Sequence, residues 1–580
     1  NYKPDYRPIK GKEKVIQDIR KYNKNCDILL AADDDREGDA IAWHCGNILD
    51  LDFTKENRII FHEISKKEIM KSIENVHKLN LNSVNAQQGR RILDRLVGYC
   101  LSPLLWKHIN TNIKGLSAGR VQSTLLLILK QHEDNILNHE SEKTYKYIGK
   151  FTDISECDLI TKLNDKNEIF EILKKNKNYK LKKQYHEKEK KYSKDPFITS
   201  TLQQTAQKEL GFNVKTTMNI AQKLYEDGKI TYMRTDSKNI SSDFQKILNR
   251  YITNNYGNDY YYKRNSNKKV KGAQEAHECI RITNIDDKLD NKFNDYDNKL
   301  YNLIRKNTIT SHMKPAIYDK LIFELSNNEL KSDYFKGFKK ELIFDGYLKY
   351  SDNNLKLVDK IENLKINNFV LKECSCEEII SNPSQYFNES SIVKKLENSG
   401  IGRPSTYASI INTLYNRNYT EIKTIKGEKK KKNIITLNEE NILINNEIEY
   451  KSSDQKNRIV LTELGKQVLE YLNNNFGMII NIEFTSKIEN ELDRVSDGEI
   501  EWQSVVDNVY QSFKDVLIIQ KGISVNKSST KYKQKNLGSL NNKNVLLKDG
   551  PYGLYINYNK KNISLSYYLK ENPNSFENIS

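Results

Sequence analysis

The spacing of apolar positions along this 580-residue chain changes period several times. Residues 14–22 carry them at helical spacing, and 26–32 form a short continuous apolar run, the pattern of a buried parallel strand. That run ends in an acidic stretch, Asp33 to Asp39, and passes into a helical pattern at Ala40. A second strand is predicted over 58–64 and a long helix over 85–107, and the small-residue stretch 115–123 opens a further helix. Alternation over 144–181 predicts strands, and the charged run 182–194 reads as a solvated connector. From 196 a helical block begins behind a Thr/Ser lead-in and delivers the chain to Tyr232. Residues 254–271 read as an exposed insertion rich in Asn, Tyr and Lys. Strands return over 321–372, and helices over 390–417, 461–475, 484–495 and around Trp502. The basic run 429–432 reads as a hairpin tip or loop, 527–543 as a Lys/Ser/Asn linker, and 545–565 as a small β unit present once.

Composition adds a direction. The formal net charge is +17 and the chain holds 35 tyrosines interleaved with lysine, which suits a polyanionic partner and, through base stacking, single-stranded nucleic acid. AT-rich coding inflates the same residues, so charge alone decides little. The seven cysteines are scattered with no CxxC pair, which excludes a zinc ribbon and points to a reducing compartment. No apolar run approaches the roughly twenty residues of a membrane helix, so no membrane partner is expected. Asn1 opens mid-domain in character, which predicts a preceding segment; a targeting signal there stays open.

Two clusters carry chemistry. Tyr232, Arg234 and Asp236 alternate and share a face if that segment is extended. A phenolate attacks phosphorus, and a guanidinium forks two phosphate oxygens. The plain alternative is an edge strand with polar residues. Asp33, Asp35 and Glu37 also alternate, at the carboxyl end of a predicted buried strand, where they suit one hard cation; acids decorating a helix N-terminus are the alternative. Arg91, Arg95 and Tyr99 repeat every four residues on one helix face, a row suited to a phosphate backbone or simply a solvated face. His277 suits proton or phosphate chemistry, or a structural role.

The order of motifs resembles the bacterial-type type IA DNA topoisomerases of the topoisomerase I kind over almost the whole chain. The anchors are DDDREGDAIAW (33–43), NAQQGRRILDRLVGYCLSPLLW (85–106), GLSAGRVQS (115–123), PFITSTLQQ (196–204), ITYMRTDS (230–237), AQEAHECIR (273–281), GIGRPSTYA (400–408) and FTSKIENELDRV (484–495). The resemblance implies a multidomain α/β and α fold, in which a Toprim domain and helical and β-rich arch domains form a toroid. The implied boundaries are a Toprim domain over 1–80 lacking its first strand, and a helical DNA-binding domain over 81–140 and 381–525. The arch covers 141–195 and 319–380, the tyrosine domain 196–318, a linker 526–544 and a C-terminal unit 545–580. It implies ATP-independent relaxation of negatively supercoiled DNA through a 5′-phosphotyrosine on Tyr232, with Arg234, Glu37 and His277 catalytic. Mg²⁺ would sit on Asp33, Asp35 and Glu37, and DNA on Arg91, Asp94, Arg95, Tyr99, Ser117, Gly119, Arg120, Gln122 and Arg403. A monomer acting on single-stranded and negatively supercoiled DNA is expected, cytoplasmic and nucleoid-associated in a bacterium. The family's first strand, with a further glutamate and lysine, has no counterpart in 1–580. A topoisomerase III-like enzyme, a reverse-gyrase module and an inactive single-strand-binding relic remain the alternatives.

Overall fold

The computed structural model describes residues 2–21, 26–111, 113, 115–264, 278–352, 354–523, 534–541, 543–550, 553–559, 561–565 and 579. His277 and residues 265–271 of the expected insertion lie outside them.

Four apolar cores organise the chain. The smallest gathers Leu30, Ala42, Leu79 and Val84 beneath the acidic stretch. The strands expected over 26–32 and 58–64 are reduced here to one parallel bridge, Leu30 to Arg58. The largest core is helical. Helix Leu81–His108 places Leu93, Val97, Leu101 and Leu105, four residues apart, on a buried stripe packed with helices Arg120–Leu137, Ile482–Ser496 and Trp502–Gly522, and helix Glu463–Ile480 completes the same core.

The third core fills a closed antiparallel sheet. Its strands are β1 (Lys143–Phe151), β2 (Ile154–Ile160), β3 (Asn178–Lys191), β4 (Ala316–Ser326), β5 (Tyr334–Phe344) and β6 (Asn368–Ile380). They run in the order β1-β2-β5-β4-β3-β6, and β6 returns to β1 over nine residue pairs, so this part of the sheet has no edge. β7 (Thr420–Ile425) pairs instead with the later strand Gln455–Leu461. A hairpin of β8 (Lys429–Leu437) and β9 (Leu443–Lys451) extends the sheet from β6.

Three expectations are corrected. Residues 182–194 are no connector: up to Lys191 they pair with β4. The outward face of β3 is solvated and cross-strand ion pairs such as Glu189–Lys340 at 2.6 Å replace apolar alternation, so the pattern hides the strand. Residues 429–432 open β8 rather than tip a hairpin, for the same reason. Within the expected linker, Gln534–Leu540 pairs with Lys543–Gly550 as the first strand of a four-stranded meander. That unit buries little, so polar residues serve on both faces.

The fourth core, from Phe197 to Met313, carries Tyr232. His312 is 1 % exposed there, with Thr308 O at 3.2 Å from Nδ1. Burial holds its pKa at about 4, so the folded ring is neutral at pH 7. The unfolded ring takes a proton below about 6.5, so stability should fall as pH drops from there through 4. Urea unfolding of a His312→Gln variant should lose less stability than wild type across that window, by up to about 3 kcal/mol. Equal losses in the two proteins would remove His312 as the cause.

Candidate active site between the acidic loop and Tyr232

The acidic stretch is a loop that turns into a helix, which is why alternation misplaced its side chains. Asp35 is extended (φ −147°) and caps helix Arg36–Ile48, its Oδ1 accepting the Gly38 N–H at 2.7 Å. Glu37 therefore sits in the first helical turn and not on a strand face. A Cβ at Gly38 would stand 2.0 Å from the Asp33 carbonyl oxygen, so the turn needs glycine. Beneath it the buried Arg58 donates to the carbonyls of Ala32 (2.6 Å) and Asp33 (2.7 Å) and pairs with Asp39 at 3.1 Å. Sequence reasoning missed Arg58; its signal was a charge opening an apolar strand pattern.

Tyr232 reaches this loop from the other core. Gly228, at φ +68°, turns the chain after helix Val214–Glu226, and Ile64 O lies 2.3 Å from where its Cβ would be. Residues 231–236 bend rather than form a strand, and the Tyr232 N–H donates to His62 O at 2.8 Å. The Tyr232 hydroxyl donates to Asp35 Oδ2 at 2.6 Å. Arg234 donates to Glu37 Oε2 at 2.9 Å and lies 3.6 Å from Asp35 Oδ2. Tyr232 is 2 % exposed, and burial, then the Asp35 charge, drives its pKa far above the ordinary phenol range; Arg234 opposes the shift. Burial and the Asp35 charge also raise the carboxyls of Asp33 and Glu37.

Beside this pair lies a cavity of about 280 Å³, bounded by Arg36, Arg90, Arg91, Arg234, Asp236 and Arg403 among others. Two acids on one face of helix Ile482–Ser496 order its arginines. Asp493 pairs with Arg36 (2.8 Å) and Arg403 (2.6 Å). Glu489, 1 % exposed, takes Arg120 (2.7 Å), Arg90 (3.3 Å) and Arg403 (3.7 Å). Burial alone would raise the Glu489 pKa, but the three arginines outweigh it and hold it at about 2. Neither acid was singled out from sequence; the signal was two acids four residues apart on the stripe of Ile488, Leu492 and Val495.

Of the expected DNA contacts, Arg91 lines the cavity and Arg95 and Tyr99 continue down the same helix. Arg403 and Asp94 border the cavity. Ser117 is fixed through both backbone groups by the Tyr419 hydroxyl, and Gly119 precedes helix Arg120–Leu137 with the Gln122 side chain folded against it. Arg120 is a correction. Its guanidinium is fully buried on Glu489 and Asp94, because the helix start faces the acids and not solvent. Among the described residues no group of three acids or histidines stands close enough to share one ion, since Asp35 and Glu37 are turned to Tyr232 and Arg234.

A family model described as DNA topoisomerase matches residues 78–449. The chain is also similar to the solved full-length topoisomerase I of Thermotoga maritima, at 32 % identity and a TM-score of 0.73, over 97 % of this chain and 89 % of that one. The chain belongs to the DNA topoisomerase family, as a type IA enzyme of the bacterial kind. The topoisomerase III, reverse-gyrase and inactive-relic alternatives are not favoured. No described helix is long and apolar enough to cross a membrane.

Proposed function

We propose that Tyr232 is the residue through which this topoisomerase cuts and reseals one DNA strand, and that it relaxes negatively supercoiled DNA as a monomer. The observation that carries this is the Tyr232 hydroxyl donating to Asp35 at 2.6 Å with Arg234 alongside. The phenol oxygen attacks phosphorus, its proton passes to Asp35, and the bond from phosphorus to the 3′ oxygen breaks. The 5′ phosphate stays on Tyr232, and the 3′ oxygen leaves and takes a proton from solvent to become a hydroxyl. Resealing reverses each transfer, so the phosphodiester energy is kept in the tyrosyl link and no ATP is consumed. Arg234 leaves Glu37 to meet the transferring phosphate, a charge-assisted contact at the developing negative charge.

The contacts that join the two cores are those an opening gate breaks. They include Tyr232 to Asp35, Arg234 to Glu37, the Tyr232 N–H to His62 O, Arg281 to Glu63 at 2.9 Å and Lys67 to Asp243 at 3.4 Å, with Ile64 packed against the tyrosine core. Mostly polar, they suit a surface that parts and closes each cycle.

Asp33, Asp35 and Glu37 fit Mg²⁺ by chemistry: they are hard oxygen donors, and two carboxyls raised by burial and by Asp35 are what a cation relieves. Asp35 and Glu37 are engaged by Tyr232 and Arg234 in this structure, so the three would hold an ion only once those contacts are released, and it would supply positive charge for the phosphate. Changing Asp33 and Asp35 together to Ala should abolish Mg²⁺-dependent relaxation and remove the Mg²⁺ heat in titration calorimetry. Retained relaxation, or retained binding, would refute the assignment.

A further inference from the structure

β7 and strand Gln455–Leu461 pair with Thr420 opposite Leu461 at one end and Ile425 opposite Gln455 at the other, where a two-residue turn would join them. The chain instead leaves over residues 426–454, as the β8–β9 hairpin, and returns. Both flanking strands belong to the helical body. Ile459 and Leu461 lie in its core, the Ile459 N–H donates to Phe387 O at 2.8 Å, and the Leu461 N–H donates to Glu133 at 2.9 Å. The hairpin belongs to the closed sheet. β8 pairs with β6 over Cys374 to Glu377, and its Leu437, 1 % exposed, fills the core of that sheet. Lys177 donates to the carbonyls of Asn438 (2.9 Å) and Glu439, and Lys372 pairs with Glu439 at 3.1 Å. The Asn433 N–H donates to the buried Glu378 at 3.2 Å.

Two other links join the helical body to the closed sheet, residues 138–142 and 381–388. They leave the sheet side by side. Lys143 opposes Ile380, the Ser381 N–H donates to Glu142 O, and the Glu142 N–H donates to Ser381 Oγ, both at 2.9 Å. Two adjacent links at one corner make a hinge about which the sheet can swing. β8 grips β6 on the side opposite β1, as far in from that corner as Cys374, about 20 Å along the strand from Ile380. Both chain ends of the Tyr232 core run into this same sheet, at Lys191 of β3 and Ala316 of β4. A swing of the sheet therefore carries Tyr232 away from the acidic loop.

The neck that ties the hairpin back to the helical body is short and largely exposed. Three residues make each arm, 426–428 and 452–454. The arms run close together: a Cβ at Gly427 would stand 1.7 Å from Ser452 O. The Gly427 N–H donates to Asp454 and the Glu428 N–H to Ser452 Oγ, both at 2.9 Å. We propose that the β8–β9 hairpin is a tether across the hinge. It rides on β6, and its arms limit how far the closed sheet, and Tyr232 with it, swings from the helical body. This rests on the gate reading above and adds the element that sets the gate's travel. An arm of three residues spans no more than about 10 Å. Four rungs and a buried leucine outlast the polar contacts of the gate, so the neck is where this link gives.

Hydrogen exchange of the full chain, followed by mass spectrometry without DNA, tests the tether. The Tyr232 N–H on His62 O reports the closed gate. Adding about six Gly/Ser residues to each arm, after Gly427 and after Ser453, leaves both cores and the β8–β6 pairs in place. Tripling an arm lowers the effective concentration it imposes about fivefold, so the segment holding Tyr232 should exchange about fivefold faster. β6, β8 and helix Leu81–His108 should stay as slow as in wild type. Equal Tyr232 exchange in the two proteins overturns the tether. So does β8 exchanging together with Tyr232 in wild type, which would make the hairpin a latch that unpairs. In a second variant, Ile435→Cys places a thiol opposite Cys376 of β6, and oxidation joins the two. Joined and reduced forms should exchange alike at Tyr232; slower exchange in the joined form also overturns the tether. The two readings fail separately. A chain that relaxes plasmid yet exchanges alike with long and short arms refutes only the tether; one whose arms govern exchange yet never cuts DNA refutes only the strand-cutting reading.

Discussion

Tyr232→Phe should leave a folded, DNA-binding protein that relaxes supercoiled plasmid at least about 10⁴-fold more slowly than wild type. The substitution removes one oxygen and keeps the ring, which packs edge-on to Tyr225 at 5.1 Å between centres. The backbone bond to His62 O is unaffected. Asp35 loses a donor but retains the Gly38 N–H on one oxygen and Arg234 at 3.6 Å from the other, so its charge stays compensated. The cost to stability should be about 1 kcal/mol, the worth of one hydrogen bond. What disappears is the atom that attacks phosphorus, and nothing nearby replaces it: Tyr225 is buried and held above the ordinary phenol range by burial and the three aspartates. Plasmid relaxation followed on gels, together with a denaturing gel for the covalent complex on a labelled oligonucleotide, measures both. A variant that relaxes at more than a few per cent of the wild-type rate, or still forms the covalent band, would sink the role of Tyr232.

The residues that touch across the site were legible because each lies in a short local pattern. Asp35 and Glu37 follow an apolar run, and Tyr232 and Arg234 follow a helix stopped by Gly228. That they meet is not local: 197 residues separate Tyr232 from Asp35, and only the packing of two cores joins them. The long helix is clear because Leu93, Val97, Leu101 and Leu105 repeat at its period. β3 is not clear, because a strand whose outer face is solvated reads like a charged connector. Arg120 misled for a related reason. An arginine in a small-residue stretch looks solvent-facing until the acid that buries it, 369 positions away, is brought against it.

That acid supports the second large expected effect. Glu489→Ala should destabilise the helical body by about 3 to 5 kcal/mol, because Arg120, whose side chain has no exposure, is left charged without its closest partner. Asp94, at 3.3 Å and 41 % exposed, compensates only in part. Arg90 and Arg403 lose the same anchor, so single-strand affinity should fall along with stability. Glu489→Gln separates charge from shape: it keeps an acceptor for Arg120 and removes the charge, so its loss should be smaller than that of Ala. The pH dependence gives an independent check. The folded pKa of about 2 lies below the ordinary 4.5, so the stabilisation is complete above 4.5 and is lost as pH falls through 2. The gap in unfolding free energy between wild type and Glu489→Gln should therefore be constant near neutrality and close across that acid window. A gap already absent at pH 7 would mean that the three arginines need no buried anion, and the ordering of the cavity's arginines would then have to come from Asp493 alone.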